Sequence, residues 1–250
     1  MAESGGNGAT NGGPVISVRG MSTGYGGNPV VHDLSFDVSA GEVLCLLGPN
    51  GAGKTTTMLA LAGELPLLSG EVEFAGVGSK APLYKRSRNG LSYVTEERSV
   101  FKGMTLRDNL RVGGVDSKEV IDLFPELEPR MSTRGGLLSG GEQQMLTLGR
   151  ALARKPRLLL ADELSLGLAP LVVDRLLQAV RRAADEQGTA VIMVEQHAHK
   201  ALRYTDHAIV IRRGRVGLDL TGEDARKRIQ DVEQAYLTSA GGNGTTASKA

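Results

Sequence analysis

The sequence predicts an α/β fold built on a parallel sheet covered by helices on both faces, and three observations carry this. Val43-Leu44-Cys45-Leu46-Leu47 is an unbroken apolar run of strand length that leads straight into a glycine-rich loop and then a helix-like segment, Thr55 to Leu65. Two later runs, Leu158-Leu159-Leu160-Ala161 and Thr189 to Val194, repeat the buried-strand pattern. Between them Leu171 to Gln187 reads as a helix. Short strands apolar on every residue, alternating with helices, are the signature of a parallel sheet with neither face in water.

The remaining elements follow in chain order. Val15 to Val18 reads as a short strand, Val31 to Val38 as a second with partial alternation, and Gly41-Glu42 as the turn into the central run. Residues 98–148 read as mainly helical and are taken as an insert. Ile209-Val210-Ile211 followed by Arg213-Gly214-Arg215 predicts a late hairpin. A single domain is expected over 14–237. Its flanks, 1–13 and 238–250, are rich in Gly, Asn, Ser and Thr and poor in apolar residues, the composition of disordered tails.

Composition narrows the class. The chain has 250 residues, 40% of them hydrophobic and 23% charged, enough for one sizeable core. The net charge is +1, without the basic excess usual in nucleic-acid binders. Cys45 is the one cysteine and sits inside an apolar run, so it reads as a buried thiol that packs as a small hydrophobe. No stretch approaches the roughly 20 apolar residues of a membrane helix, and the N-terminus lacks the apolar centre of a signal peptide. The expectation is a cytoplasmic protein whose membrane association, if any, comes through a partner.

Three motifs carry chemistry. Gly48-Pro49-Asn50-Gly51-Ala52-Gly53-Lys54-Thr55 is a full match to G-x-x-x-x-G-K-[ST]. Its glycines let successive N–H groups converge on phosphate oxygens, and the helix that follows turns its positive end to the same anion. Lys54 can reach the outer phosphates and the Thr55 hydroxyl can ligate Mg²⁺. A chain of this length matches by accident only about 1% of the time, and the preceding strand and following helix make accident rarer still. Leu158 to Ala161 ends in Asp162-Glu163, and in a parallel sheet that end lies beside the phosphate loop. Asp162 is the candidate Mg²⁺ ligand and Glu163 the residue that polarises an attacking water, against the plainer reading of two solvated acids. Leu138-Ser139-Gly140-Gly141-Glu142-Gln143-Gln144 reads as a helix start with a capping box, Ser139 to Glu142, and as a further anion site.

In this order and spacing the three motifs resemble an ABC ATPase, and L-S-G-G-E-Q-Q resembles that family's signature sequence. The resemblance covers about Val15 to Leu237. It implies a P-loop NTPase core of the RecA type, with a small antiparallel β subdomain and an inserted helical subdomain. It implies ATP and Mg²⁺ as cofactors, the nucleotide held from Gly48 through Pro49, Asn50, Gly51, Ala52, Gly53, Lys54 and Thr55 to Thr56. It also implies two cassettes packed head to tail, so that Ser139, Gly140, Gly141 and Glu142 of one meet the nucleotide of the other. Tyr25 falls where the family stacks an aromatic on adenine; the alternative is a strand-end aromatic in the core. Glu96 falls where the family usually has a glutamine touching Mg²⁺ and the permease; the alternative is a solvated loop acid. Gln196 falls where most members carry a histidine switch, and His197 follows it, so either can be the γ-phosphate contact.

The departures from the family pattern are informative. Ser165-Leu166-Gly167-Leu168-Ala169-Pro170, Val194-Glu195-Gln196 and the acid at position 96 resemble the ATP-binding subunits of branched-chain amino-acid importers and their relatives for other small polar solutes. The expected partners are a second cassette, identical or paralogous, permease subunits in the membrane and, indirectly, a solute-binding protein. Placement on the inner face of the cell membrane follows. A non-transport ABC protein acting on ribosomes or DNA is the alternative; such relatives usually carry two cassettes or a long coiled-coil insert, and this chain shows neither. A GTPase or kinase would leave the signature unexplained, and no N-K-x-D guanine-reading motif is present.

Overall fold

A computed structural model describes residues 13–195 and 198–228. The predicted tails therefore fall almost wholly outside the described residues, as do Gln196 and His197. Among the described residues nine strands form two sheets. Strands β1 (Ile16–Tyr25), β2 (Asn28–Val38) and β4 (Leu67–Phe74) make a three-stranded antiparallel sheet in the order β2-β1-β4. Strands β3 (Val43–Leu47), β5 (Leu91–Val94), β6 (Leu158–Asp162), β7 (Ala190–Glu195), β8 (His207–Arg212) and β9 (Arg215–Thr221) make the larger sheet, ordered β5-β6-β7-β3-β8-β9. Its pairings are parallel except β8 to β9, the predicted hairpin.

The central strands are buried on both faces, and their residues divide between two cores. Val43, Cys45 and Leu47 face one side with Leu159, Ala161, Val191 and Met193; Leu44 and Leu46 face the other with Leu158, Leu160, Ile192 and Val194. Each Val, Leu, Ile or Met among them contributes about 1.5–3 kcal/mol through burial, which explains why no polar residue alternates into these runs. The first core is closed by helices α5 (Gly140–Leu152) and α6 (Pro170–Gln187). The second is closed by helix α1 (Lys54–Ala62) and the antiparallel sheet. Cys45 is fully buried, and burial, with the charge of Glu195, pushes its thiol well above the ordinary range.

Three differences from the predicted elements have local causes. Helix α1 stops at Ala62 rather than Leu65, because Gly63 closes the last turn with its N–H on Ala60 O at 3.1 Å. Strand β1 runs on to Tyr25, through register shifts past Val18 that break the alternation. Strands β4 and β5 were not foreseen; the first carries Ser69-Gly70 at its centre and the second is only four residues long. Helix α2 (Leu83–Arg88) precedes β5, and within 98–148 the chain forms helices α3 (Leu106–Val112) and α4 (Ser117–Leu123), two short 3-10 turns and the start of α5, which continues to Leu152 in the core.

Candidate functional site

The fold brings the end of β3, the start of α1 and the end of β6 to one edge of the larger sheet. A cleft of about 470 Å³ opens there, lined by Val30, Asn50, Gly51, Gly53, Lys54, Thr55, Thr56, Glu96, Glu163 and Leu166. The loop that floors it needs its glycines for steric reasons. A Cβ on Gly48 would meet the backbone oxygen of Ile211 at 2.4 Å, and Gly53 caps α1 at φ +105°, where a Cβ would lie 2.9 Å from Val31. Lys54 is buried, and its Nζ donates to Gly48 O at 2.8 Å and Pro49 O at 3.2 Å. Burial pulls its pKa down, while Glu163 and Asp162 oppose the shift.

Asp162 ends β6 at 1% exposure. Burial pushes its pKa up to about 6; the Thr55 hydroxyl and Lys54 pull the other way, while Glu163 and Glu96 add to the rise. Its Oδ1 is buried without a hydrogen-bond partner. An orphaned carboxylate oxygen is costly, and this one belongs to a carboxylate that Thr55 and Lys54 of the phosphate-type loop influence. Among the described residues no group of three or more His, Cys, Asp and Glu forms a metal cluster. The donors fit Mg²⁺, a hard cation that takes one or two protein oxygens and draws the rest from phosphate and water.

Glu163 adopts φ +48°, the left-handed region that costs a non-glycine residue about 1–3 kcal/mol. The backbone is held there by its N–H on Val194 O at 2.9 Å. The next residues form a short loop: Leu166 lines the cleft, and Ser165 is buried with its hydroxyl donated to the Glu195 carboxylate.

The signature residues are built as a helix cap. Ser139 Oγ accepts from Glu142 N at 3.2 Å and Glu142 Oε2 accepts from Ser139 N at 2.7 Å, the reciprocal capping box, while Arg130 pairs with Glu142 at 2.8 Å. Ser139 is exposed, and neither it nor Gly140, Gly141 or Glu142 lines the cleft of its own chain. A second hollow of about 440 Å³, lined by Arg98, Lys102, Gln143 and Gln144 among others, shares Glu96, Glu163 and Leu166 with the first. Glu96 is thus exposed on the wall between the two.

Tyr25 stands at the end of β1 with 53% exposure, so it is not a core aromatic; it is also not among the residues lining the cleft. Gly48, Pro49 and Ala52 shape the loop without lining the cleft. The sequence reading did not single out Val30, which an apolar strand hides, or the buried link from Ser165 to Glu195, which spans 30 positions.

Comparison with known proteins gives a consistent picture. The ABC transporter family profile matches residues 31–165. The high-affinity branched-chain amino acid transport ATP-binding protein BraG of Pseudomonas aeruginosa is 40% identical over 235 residues, covering 89% of this chain and 99% of that one. The probable branched-chain amino acid transport ATP-binding protein LivF of Archaeoglobus fulgidus is 30% identical over 214 residues, covering 82% and 91%. A solved ATP-binding subunit of an ABC transporter superposes with a TM-score of 0.73 at 27% identity, covering 90% of this chain and 97% of that one.

Proposed function

Since the chain belongs to the ABC transporter family, we propose that it is the ATP-binding and ATP-hydrolysing subunit of an importer for branched-chain amino acids or a related small polar solute. The observation that carries the catalytic part is the pair of acids at the end of β6: Glu163 lines the same cleft as the phosphate loop, and Asp162, buried at the strand end, keeps an unpartnered oxygen and is influenced by Thr55 and Lys54. The names of BraG and LivF support the substrate class.

In this reading the loop from Gly48 to Thr56 cradles the phosphates with backbone N–H groups, and the start of α1 adds its positive end. The Lys54 ammonium exchanges loop carbonyls for phosphate oxygens. Thr55 and Asp162, with Glu96 nearby, would hold Mg²⁺, which would offset negative charge on the outer phosphates. Glu163 orients a water against the γ-phosphorus and accepts its proton as the new P–O bond forms; the bond to the ADP oxygen breaks and phosphate leaves. Tyr25, exposed at the end of β1, supplies an aromatic face for adenine. Gln196 or His197 supplies the γ-phosphate contact; both lie outside the described residues.

The signature residues serve the nucleotide of a partner cassette. Ser139, Gly140 and Gly141 do not line their own cleft, and a helix start with Ser139 exposed and Gly140 and Gly141 half-buried, its positive end turned outward, suits an anion from outside. Closure of the pair around ATP is the step passed to the permease. Among the described residues no helix is long and apolar enough to cross a membrane; attachment to the inner membrane face through permease subunits is part of the proposal.

The test is phosphate release from Mg·ATP by the full chain, alone and in vesicles with its permease and a leucine-loaded binding protein. Stimulation by the loaded binding protein is expected. Turnover that ignores it but responds to ribosomes would replace the importer reading, and preference for GTP would overturn the ATPase assignment.

A further inference from the structure

We propose that Glu195 is a positioning residue for hydrolysis: from the end of β7 it pins the loop that follows Glu163 and so fixes where that carboxylate stands. The proposal rests on the ATPase reading above and extends it to a residue with no place in the phosphate chemistry.

Strand β7 grips this loop twice. Val194 O takes the N–H of Glu163 at 2.9 Å, and the Glu195 carboxylate takes the hydroxyl of Ser165. The backbone N–H groups of Ser165 and Leu164 also favour the charged form of Glu195. Glu163 lies between these two holds with its backbone in the left-handed region, φ +48°. A non-glycine residue stays there only where its surroundings over-determine it. Among the described residues, the Ser165–Glu195 hydrogen bond is the side-chain tie between residues 164–168 and the sheet.

The hold is expensive, which argues against a purely incidental contact. Glu195 is 1% exposed, its Oε1 has no hydrogen-bond partner, and no basic side chain among the described residues pairs with it. Apolar packing would serve stability better at that position. What the carboxylate provides instead is a directed acceptor for the loop, 30 positions away in sequence. Displacing a reacting group by about 1 Å is enough to cost roughly 100-fold in rate, so loss of this tie acts on the chemical step and leaves the phosphate loop intact.

The experiment measures kcat and KM for Mg·ATP, ADP affinity and thermal unfolding of the full chain and of Glu195→Ala, Glu195→Gln, Ser165→Ala and the double alanine variant. Glu195→Ala is expected to lose about 30- to 100-fold in kcat with KM and ADP affinity within about threefold. Glu195→Gln, which keeps an acceptor oxygen, returns kcat to within about threefold of the parent. Ser165→Ala loses less than Glu195→Ala, and the double variant is no worse than Glu195→Ala, the signature of one shared interaction. A parental kcat in Glu195→Ala overturns the proposal, as does parallel loss of kcat, ADP affinity and melting temperature without recovery in Glu195→Gln. Should Glu195→Ala not fold, Ser165→Ala decides: kcat unchanged overturns the proposal, kcat lowered at constant KM supports it. A parent chain without turnover overturns the ATPase reading as well, whereas parental turnover unaffected by these variants overturns this inference alone.

Discussion

Lys54 Nζ donates to the carbonyl oxygen of Gly48 at 2.8 Å, so the ammonium that ends the phosphate loop is bonded to the residue that opens it. The contact closes the loop into a ring with its one cation buried. It also sets the first expected outcome. Lys54→Ala removes both the ring closure and the charge. Affinity for Mg·ATP, followed by calorimetry, should fall at least about tenfold, the worth of a charge-assisted hydrogen bond to phosphate. An affinity within about threefold of the parent would show that Lys54 does not meet the phosphates.

Glu163→Gln keeps the shape of the side chain and removes the base. Nucleotide affinity should hold, and phosphate release should drop by about 10²- to 10⁴-fold, the usual weight of a general base. With hydrolysis stopped and the cradle intact, Mg·ATP should drive the chain into a dimer on size exclusion, with a paralogous cassette present if the working pair is mixed. Parental turnover in this variant would assign the base elsewhere.

Ser139→Arg separates binding from closure. The cleft of the same chain does not include Ser139, so affinity for Mg·ATP should stay within about threefold. Turnover should fall at least about tenfold, as the guanidinium obstructs a facing nucleotide. Loss of the cap costs about 1 kcal/mol of stability in its own right, so Ser139→Ala is the control: similar melting, far milder loss of turnover. Equal loss in both variants would argue against a role in trans.

Gly48→Ala tests the close approach. The added Cβ would meet Ile211 O at 2.4 Å, and backbone can yield only by moving β3 or β8. Overpacking of this kind costs about 1–3 kcal/mol. A lower melting temperature together with weaker ATP binding is expected, and a parental melting temperature would mean that the loop has room to shift.

Glu195 gives the pH dependence. Its pKa is raised from 4.5 to about 7, chiefly by burial, against the opposing hydrogen bonds to the loop, with Glu163 adding to the rise. The folded chain thus binds the proton more tightly than the unfolded one. That contribution to stability is complete below about pH 4.5 and is lost as pH rises through 7, with a ceiling on the order of 3 kcal/mol. In the nucleotide-free chain, Glu195→Gln should therefore melt above the parent at pH 8, and the gap should close towards pH 5. A gap that does not change with pH would mean that Glu195 is ionised throughout.

Some of this site was legible from residues alone because its pieces are contiguous. The phosphate loop, the acids at 162 and 163 and the cap at 139 each lie within eight residues of sequence, and the first two stand at the ends of apolar runs, Val43–Leu47 and Leu158–Ala161. Strand β4 does alternate, with Val72 and Phe74 buried between exposed Glu71 and Glu73, but Ser69-Gly70 shortens the pattern below what periodicity can resolve. Arg86 reads as one more basic residue in Lys85-Arg86-Ser87-Arg88, yet it is fully buried and donates to the carbonyls of Ala81 and Leu61. The tie between Ser165 and Glu195 could not be read at all. It exists only because β6 and β7 are neighbours in register, and that adjacency is a property of the sheet rather than of either segment.

The position of β3 has a consequence for how the chain comes to life. Its two neighbours are β7 and β8, which end at Glu195 and Arg212, so the strand that carries the phosphate loop is flanked entirely by residues from the last quarter of the sequence. During synthesis from the N-terminus, the motif at 48–55 leaves the ribosome long before anything can pair with it. Closing so distant a contact is slow. A nascent chain stopped before β7 would carry every residue of the loop and no nucleotide site, and its bare apolar strand would be exposed to chaperones and to aggregation alike.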